Sequence, residues 1–411
     1  MKKFFLLLCA IAMIGGVSSC KQKKTEKAEP CPITLNDEQR QFVDGNNSFS
    51  LSFLKEMDDW DINGKSFVYS PLSITYVLSM VNDAAEGITS MEMQNTLGFG
   101  IVEKSKINDF CKILIDSLPM ADRNIQLQIA NAVFVNKNYT LKKQFLQNLN
   151  KYYSADAESL DFSSRSAASS INKWCKKQTN GLIPSIIDET NPDFVSYLLN
   201  AVYFKAEWAE PFEESDTETD TFYTADGYVM LPLMHQHNRY SYVQNQLFAA
   251  VDIPYGNGQW SMTVVLPEEG KDVSDVIDFL SKEHLAFLDT LRERSVDLKL
   301  PRFETKSSTE GYLIDIMQNM GIRYVFDKDL SDVPNMCDRN VYIGMMKQDA
   351  RIMVNEEGAE AAAVTIVGIA ESSCAPMPEE PVLFYANRPF VYIIREASTN
   401  AILFVGRYTG K

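Results

Sequence analysis

Residues 354–381 constrain the fold more than any other part of the chain. Their first half is rich in Ala and Glu and their second half carries three prolines. Read with a period of two, one face of the first half holds only small residues: Ala359, Ala361, Ala363 and Thr365. A strand with such a face fits a crowded sheet, but Ala and Glu also favour a helix. The local sequence therefore leaves strand and helix open.

Composition and charge exclude some classes of partner. The chain has 411 residues, of which 45% are hydrophobic, which is ample for a large core. Its formal net charge of -16 argues against a nucleic-acid or anionic-membrane surface, because such surfaces need clustered Lys and Arg. We therefore expect no nucleic-acid partner, and we expect a monomer.

The N-terminus has the features of an export signal. Two lysines precede an apolar stretch at residues 4–14, which is too short to span a membrane permanently, and small residues follow. The ending Val17-Ser18-Ser19-Cys20 resembles the lipobox of bacterial lipoproteins. This resemblance implies that residues 1–19 are a signal peptide and that Cys20 becomes acylated. An ordinary signal peptide cut nearby is the alternative.

A lipobox implies an exported protein that is lipid-anchored to the bacterial outer membrane or cell surface, on its periplasmic or extracellular face. Residues 20–34 are polar at first, rich in Lys and Glu and without periodicity, so we expect a flexible tether. Residues 35–411 contain no Gly/Ser/Pro linker and no internal repeat, which favours a single domain.

The cysteines do not form a recognisable framework. Two of the 7 lie in the signal and at the proposed anchor. The others are widely and irregularly spaced: Cys31, Cys111, Cys175, Cys337 and Cys374. An odd number with this spacing is not typical of a disulfide framework or a metal knuckle, so we expect neither.

The sequence lacks the motifs of ordinary enzymes. It has no nucleophile elbow, His-Glu-x-x-His motif, Walker loop or Rossmann glycine fingerprint. His235 and His237 lie two apart and would share one face of a strand, but no third metal ligand is placed beside them. The acidic run at residues 207–220 is typical of a solvated surface. We predict that the protein is not an enzyme and holds no cofactor or metal.

Helical and strand patterns alternate little along the chain. Apolar spacing and helix-ending signals predict helices at residues 36–60, 72–81, 90–97, 141–153, 166–179, 273–291 and 309–320. β-rich runs predict strands at residues 67–70, 125–136, 194–204, 228–234, 249–253, 261–266, 296–303, 382–384, 390–395 and 401–405. Helices come mostly first and strands later, which predicts an α+β fold with mostly antiparallel or mixed sheets.

Several blocks together resemble the serpin family of serine and cysteine protease inhibitors. The longest runs from Asn200 to Trp208, with Phe212 downstream, and differs from the family signature at Ala206, where the family usually has Gly. Other matching blocks follow the family's order, at residues 70–74, 84–99, 251–255, 261–267, 300–303, 387–390 and 404–407. The resemblance implies a serpin fold with about eight to nine helices and an exposed reactive-centre loop.

The resemblance implies a function for residues 354–381. In serpins the equivalent loop is exposed above a five-stranded central sheet and is attacked as a substrate. A protease that cuts it forms an acyl-enzyme. The cut loop then inserts as a further strand and drags the protease along, which distorts its active site before deacylation. This predicts an irreversible, suicide-substrate inhibitor that forms a covalent complex with a protease. A non-inhibitory serpin acting as a ligand-binding or chaperone-like protein is the alternative.

Insertion needs small residues on the entering face, because larger ones would overpack the sheet. The residues that match the family's hinge and insertion face are Glu356, Glu357, Gly358, Ala359, Ala361, Ala363 and Thr365. Ala359 stands where the family often has Thr or Ser, and Ala should insert at least as easily. The pattern favours inhibition, since non-inhibitory serpins often carry charged or bulky residues here.

The resemblance also assigns a polar cluster through which the sheet opens. The matching residues are Ser70, Ser73, Asn200, Gln348 and Trp208, the last at the upper entry of the sheet. Gln348 stands where the family commonly has His. A glutamine amide both donates and accepts hydrogen bonds, so it can serve without a titrating group.

The scissile bond implied by the resemblance is Ser372–Ser373, with Glu371–Ser372 and Ser373–Cys374 as neighbouring alternatives. A small residue there suits elastase-like serine proteases or papain-like cysteine proteases, whereas a trypsin-like pocket requires Arg or Lys. We expect Cys374 to be an ordinary loop residue, since neither a base nor a cation is placed near it.

Overall fold

Eight α-helices and fifteen strands form within the residues that the computed structural model describes, which are 28–61, 63–309, 311–359 and 380–411. The helices are α1 (Asp37–Trp60), α2 (Pro71–Ala84), α3 (Gly87–Thr96), α4 (Lys104–Ser117), α5 (Lys143–Tyr153), α6 (Arg165–Gln178), α7 (Val273–Glu283) and α8 (Leu313–Asn319). The predicted α+β class, with about eight to nine helices, is confirmed.

The strands follow in chain order. They are β1 (Phe67–Tyr69), β2 (Gln126–Asn136), β3 (Asp156–Leu160), β4 (Ser196–Glu207), β5 (Glu218–Thr224), β6 (Gly227–Gln244), β7 (Phe248–Tyr255), β8 (Trp260–Pro267), β9 (Arg292–Pro301), β10 (Phe303–Ser308), β11 (Asp349–Val354), β12 (Gly358–Ala359), β13 (Val382–Tyr385), β14 (Phe390–Glu396) and β15 (Ile402–Tyr408).

These strands form two sheets. Sheet A has the order β10-β11-β12-β4-β2-β3, and sheet B has the order β1-β15-β14-β8-β7-β6-β9-β13, with β5 beside β6. Neighbours are antiparallel except for the pairs β2–β3 and β9–β13, so both sheets are mixed, as predicted. The main hydrophobic core joins the two sheets to most of the helices, and a smaller cluster holds α6 against the other face of β2 and β4.

Local signals set the starts of the first two helices. Asn36 accepts a hydrogen bond from the Gln39 amide, and the Gln39 side chain accepts one from the Asn36 amide, so a capping box starts α1. Pro71 occupies the first turn of α2, where no backbone N–H is needed, and the Ser70 side chain caps that turn. Both helices begin within one residue of the predicted positions.

Helices α7 and α8 are shorter than predicted. α7 ends at Glu283 because His284 adopts a positive φ of 53°, and a 3-10 helix at Ala286–Thr290 follows it. α8 begins at Leu313 because Thr309 is held in a turn by hydrogen bonds with the backbone of Gln348. Tertiary contacts therefore override the local helical pattern at both sites.

Among the described residues, no helix is long and apolar enough to cross a membrane. The thiols of Cys31, Cys111, Cys175 and Cys337 are free. Cys20 and Cys374 lie outside the described residues.

Candidate functional site in sheet A

Strands β4 and β11 border an open cleft in sheet A. In the described part of the chain they do not pair with each other. β12 lies between them at one end of the cleft, which we call its upper end. There Ala359 is opposite Ala206 of β4 and opposite Val354 of β11. Below Ala359 the cleft forms a cavity of about 380 Å³. Its lining includes Tyr197, Asn200, Val202, Met346, Gln348 and Ala350.

Glu356, which is predicted to belong to the hinge, is held by polar contacts at the upper end of the cleft. Its side chain is 4% exposed, and its carboxylate accepts hydrogen bonds from the Arg302 guanidinium and, at 2.7 Å, from the Thr217 hydroxyl. Its backbone oxygen accepts a hydrogen bond from the Phe212 amide at 2.8 Å. A buried carboxylate is stable only with such partners. The predicted hinge is therefore held by specific polar contacts.

The surroundings of Glu356 keep its carboxylate charged. Burial by itself would raise the pKa of Glu356, but the hydrogen bonds from Arg302 and Thr217 outweigh burial and hold this pKa below its ordinary range. The same hydrogen bond to Glu356 raises the pKa of Arg302. Glu356 and Arg302 are thus an ion pair at neutral pH.

Trp208 lies at the upper entry of the sheet and holds the turn between β11 and β12. Its indole Nε1 donates to the Asn355 oxygen at 2.9 Å, and its backbone amide donates to the Glu357 oxygen at 2.7 Å. Its ring stacks on Tyr255, with the ring centroids 4.3 Å apart and the planes 7° apart. Trp208 therefore connects the hinge to β7 of sheet B.

The first two residues of the expected insertion segment already lie in sheet A. Gly358 has a φ of +151°, and a Cβ on it would lie 2.0 Å from the Ala206 oxygen, so this turn requires glycine. Ala359 is 1% exposed and packs directly opposite Ala206. The resemblance implies a five-stranded central sheet, and among the described residues sheet A has five strands besides the two-residue β12.

Ser70, Ser73 and Gln348 form one cluster beside the cleft. The Gln348 amide oxygen accepts from the Ser70 backbone N–H at 3.0 Å, and the Gln348 Nε2 donates to the Ser70 backbone oxygen at 2.8 Å. The Ser73 hydroxyl donates to the Ser70 hydroxyl at 3.1 Å. Thr309 completes the cluster, since its hydroxyl accepts from the Gln348 amide N–H at 2.7 Å. These contacts join α2 to the start of β11.

Asn200 lines the same cleft but makes no hydrogen bond to that cluster. Its Nδ2 donates to Asn131 Oδ1 of the neighbouring strand β2 at 2.9 Å. Its Oδ1 is buried without a hydrogen-bond partner among the described residues. The amides of Asn200 and Gln348 line the same cavity, and no strand formed by the described residues lies between them.

The remaining predicted site residues lie outside the described residues. They are Cys20, Ala361, Ala363, Thr365, Ser372 and Ser373.

Three residues that hold the predicted hinge are not among the site residues predicted from the sequence. Arg302 and Thr217 bind Glu356, and Asn355 accepts hydrogen bonds at its Oδ1 from the amides of Glu357 and Gly358, each at 3.1 Å. Arg302 lies in a block that resembles the family, but its pairing with Glu356 joins distant parts of the chain, and no local pattern indicates it.

His235 and His237 of β6 each have a polar partner on the neighbouring strand β9. His235 Nε2 lies 2.5 Å from an Asp297 carboxylate oxygen, and His237 Nε2 lies 2.8 Å from the Ser295 hydroxyl. The described residues contain no group of three or more His, Cys, Asp or Glu side chains arranged to hold a metal ion.

Comparison with known proteins identifies the family. Residues 44–410 match the family model described as serpin (serine protease inhibitor). The chain is a member of the serpin family. Serpins form complexes with target proteases and are typically protease inhibitors rather than enzymes.

Relatives of this serpin occur in distant organisms. An uncharacterized serpin-like protein of Thermococcus kodakarensis is 33% identical over 91% of this chain and 87% of its own length. Leukocyte elastase inhibitor A of Rattus norvegicus is 30% identical over 89% of this chain and 98% of its own length.

Solved structures share the fold. The thermophilic serpin Tengpin in its native state has a TM-score of 0.82 and 28% identity, covering 94% of this chain and 97% of its own. Human thyroxine-binding globulin complexed with thyroxine has a TM-score of 0.78 and 27% identity, covering 90% and 98%. A ligand-binding protein shares the fold, so the fold alone does not distinguish an inhibitor from a carrier.

Proposed function

We propose that this serpin is an irreversible inhibitor whose cleaved loop inserts between β4 and β11. The observation that carries the proposal is β12, in which the first two residues of the insertion segment occupy the upper end of a cleft that no other described strand fills. A strand placed below it would add a ladder of backbone hydrogen bonds on both sides.

The register of β12 specifies which residues would meet in the inserted state. Continuing the pairs Gly358–Glu207 and Ala359–Ala206 puts Thr365 opposite Asn200. Continuing the pair Ala359–Val354 on the other side puts Thr365 opposite Gln348. Both extrapolations place the Thr365 hydroxyl between two amides that line the cleft, where it can donate to one and accept from the other.

The same register explains the small residues of the segment. Ala361 and Ala363 would lie opposite Phe204 and Val202 of β4, on the face that packs into the main core. A large or charged side chain on this face would overpack the core or bury an unpaired charge. This requirement supports inhibition over a ligand-binding or chaperone-like role, for which the loop need not insert.

The chemistry begins in the protease. Its nucleophile attacks the carbonyl carbon of the scissile bond, the peptide N–H side leaves as an amine, and the loop stays attached as an acyl-enzyme. If the loop inserts before water hydrolyses the acyl-enzyme, the attached protease would be carried to the far end of sheet A. Residue 369 would pair with Ser196 at the lower end of β4, so the proposed bond Ser372–Ser373 lies just beyond a fully inserted strand.

The proposed bond also suggests the class of target. Small residues on both sides favour elastase-like serine proteases or papain-like cysteine proteases. With Cys20 acylated, the inhibitor would act at the outer membrane or cell surface, on the periplasmic or extracellular face.

Mixing the purified protein with pancreatic elastase or papain tests the proposal. We expect stoichiometric loss of protease activity and a covalent complex that survives denaturation. Mass spectrometry of the trapped complex should place the cut at Ser372–Ser373 or at a neighbouring bond. Cleavage of the loop with full recovery of protease activity, for both proteases, would remove inhibition as the function.

A further inference from the structure

The segment before α1 lies against the body of the protein. Of the predicted tether, the structure describes residues 28–34, which continue through Leu35 into the start of α1. Ile33 and Leu35 are 7% and 5% exposed and belong to the main hydrophobic core. The Ile33 amide donates to the Ser398 hydroxyl at 2.9 Å, in the turn between β14 and β15. Two buried aliphatic side chains and this hydrogen bond hold the segment in place.

Further contacts carry the segment to the turn between β7 and β8. The Cys31 amide donates to the Ala121 oxygen at 3.3 Å. The Asn257 side-chain amide donates to the same Ala121 oxygen at 3.3 Å and to the Glu29 oxygen at 3.5 Å. The segment therefore reaches the turn between β7 and β8 at Glu29, so the chain leaves the body beside that turn.

That turn lies at the same end of the molecule as the predicted hinge. The Gly256 amide donates to the oxygen of Glu207 at 2.9 Å, and Glu207 is the last residue of β4 and pairs with Gly358 of β12. The next residue, Trp208, donates from its backbone amide to the Glu357 oxygen. The docked segment and the predicted hinge are therefore both joined to the upper end of β4.

The sequence limits how far a lipid on Cys20 can lie from this end. Only eight residues lead from Cys20 to Ala28, and an extended chain spans at most about 3.5 Å per residue, so the reach is about 28 Å. A compact domain of this length is about 55 Å across. Turning the body over would lift Ala28 about that far from the lipid, which is beyond the reach.

We propose that the end of the body that holds the predicted hinge faces the lipid surface in which Cys20 is anchored; this inference rests on the acylation that is part of the proposed function. β4 has 12 residues, so its two ends lie about 40 Å apart. Insertion along β4 would carry an attached protease away from the lipid by about that distance. The partner that this arrangement suits is a protease that acts at the same lipid surface.

Energy transfer from the protein to labelled lipid measures the orientation. The full chain, purified in its acylated form, is added to preformed phosphatidylcholine vesicles that contain an acceptor-labelled lipid. One donor site is Ser215→Cys, two residues before Thr217, which binds Glu356. The other is Ser163→Cys, just beyond the lower end of β3, and both serines are exposed. Cys31→Ala/Cys374→Ser is the background for both. We expect transfer from the Ser215→Cys site to be at least about twofold greater, because the two ends of the sheet differ by about 40 Å in distance from the lipid.

A longer tether is the matched control. Inserting about sixteen Gly and Ser residues between Lys27 and Ala28 raises the reach to about 84 Å, enough for the body to turn over, so the difference between the two donor sites should shrink. Equal transfer from the two sites in the parent, or greater transfer from the Ser163→Cys site, would overturn the inference. A difference that the insertion leaves unchanged would also overturn it.

Vesicle binding and inhibition are measured separately. If the purified parent does not float with vesicles, the proposed anchor fails and this inference fails with it. Formation of covalent protease complexes by the same preparation in solution decides whether the protein is an inhibitor, whatever its orientation on lipid. A parent that inhibits but shows no preferred end toward the lipid would leave the inhibitory function standing and contradict only the inference.

Discussion

Gln348 and Ser70 exchange two hydrogen bonds, with the Gln348 side-chain amide satisfying both the backbone N–H and the backbone oxygen of Ser70. The pair joins the start of β11 to the N-terminal end of α2 at the side of the cleft. Since the contact uses an amide, it has the same strength across the physiological pH range, unlike a contact made by histidine.

Gln348→Ala should destabilise the protein. The substitution leaves the buried Ser70 N–H without a partner, and the Ser70 oxygen keeps only the hydrogen bond from the Ser73 amide, so we expect the free energy of unfolding to fall by about 2 kcal/mol. Urea denaturation measures the change. Gln144→Ala, on the exposed face of α5, is the control and should be nearly neutral. Equal midpoints for the two variants would contradict the structural role of Gln348.

The Glu356–Arg302 ion pair predicts a defined dependence on pH. Because the pKa of folded Glu356 lies below its ordinary value of 4.5, the carboxylate contributes stability fully above that value. This contribution is lost as the pH falls through the lower, folded pKa. The difference in free energy of unfolding between the parent and Glu356→Gln should therefore be constant near neutral pH and shrink below pH 4.5. The exposed Glu214→Gln serves as the control, and a parent-to-Glu356→Gln difference that does not change with pH would refute the prediction.

Ala361→Arg should convert the inhibitor into a substrate. In the proposed register its side chain would enter the core face opposite Phe204, where a charge cannot be buried unpaired. We expect the loop to be cut, the complex to disappear and the stoichiometry of inhibition to rise at least about tenfold. Glu360→Arg is the matched control, because residue 360 would face away from the main core. Normal inhibition by Ala361→Arg would be incompatible with insertion of this face.

Cys20→Ala should release the protein from membranes. The substitution removes the proposed acylation site, and no described helix could replace the anchor. Fractionation of bacterial cells that express the full chain measures the membrane-bound share. Cys31→Ala, which removes an exposed thiol outside the proposed acylation site, should remain membrane-bound. The lipoprotein hypothesis is wrong if both variants stay with the membrane.

The sequence predicts elements well where one pattern persists. The long helix α1 and the buried strands β7 and β8 are all found near their predicted bounds, because each has sustained apolar spacing or a continuous apolar run. Strand β3 exposes nearly all of its side chains, so it has no apolar alternation to detect. It forms because it pairs in parallel with β2, and the local sequence of β3 does not indicate this pairing.

The predicted hinge likewise depends on contacts with distant residues that its local sequence does not indicate. Local propensity leaves residues 354–365 open between helix and strand, and Gly358 and Ala359 become strand because Ala206 and Val354 flank them. The resemblance to serpins identifies Glu356 by position, but its partners Arg302 and Thr217 emerge only from tertiary structure. Likewise, Asn200 turns toward Asn131 because β2 is its neighbour while the cleft is open.

Thermal unfolding before and after cleavage of the loop tests the central claim most directly. Insertion beside β4 and β11 would add roughly ten backbone hydrogen bonds at about 1 kcal/mol each, and at about 2 °C per kcal/mol the midpoint should rise by about 20 °C. The loop is cut with a trace of a metalloprotease, which forms no acyl-enzyme and is therefore not trapped, the protease is removed, and the cleaved Ala361→Arg variant serves as the control that cannot insert. A cleaved parent that unfolds at the temperature of the intact protein would contradict insertion, and with it the proposed inhibitory mechanism.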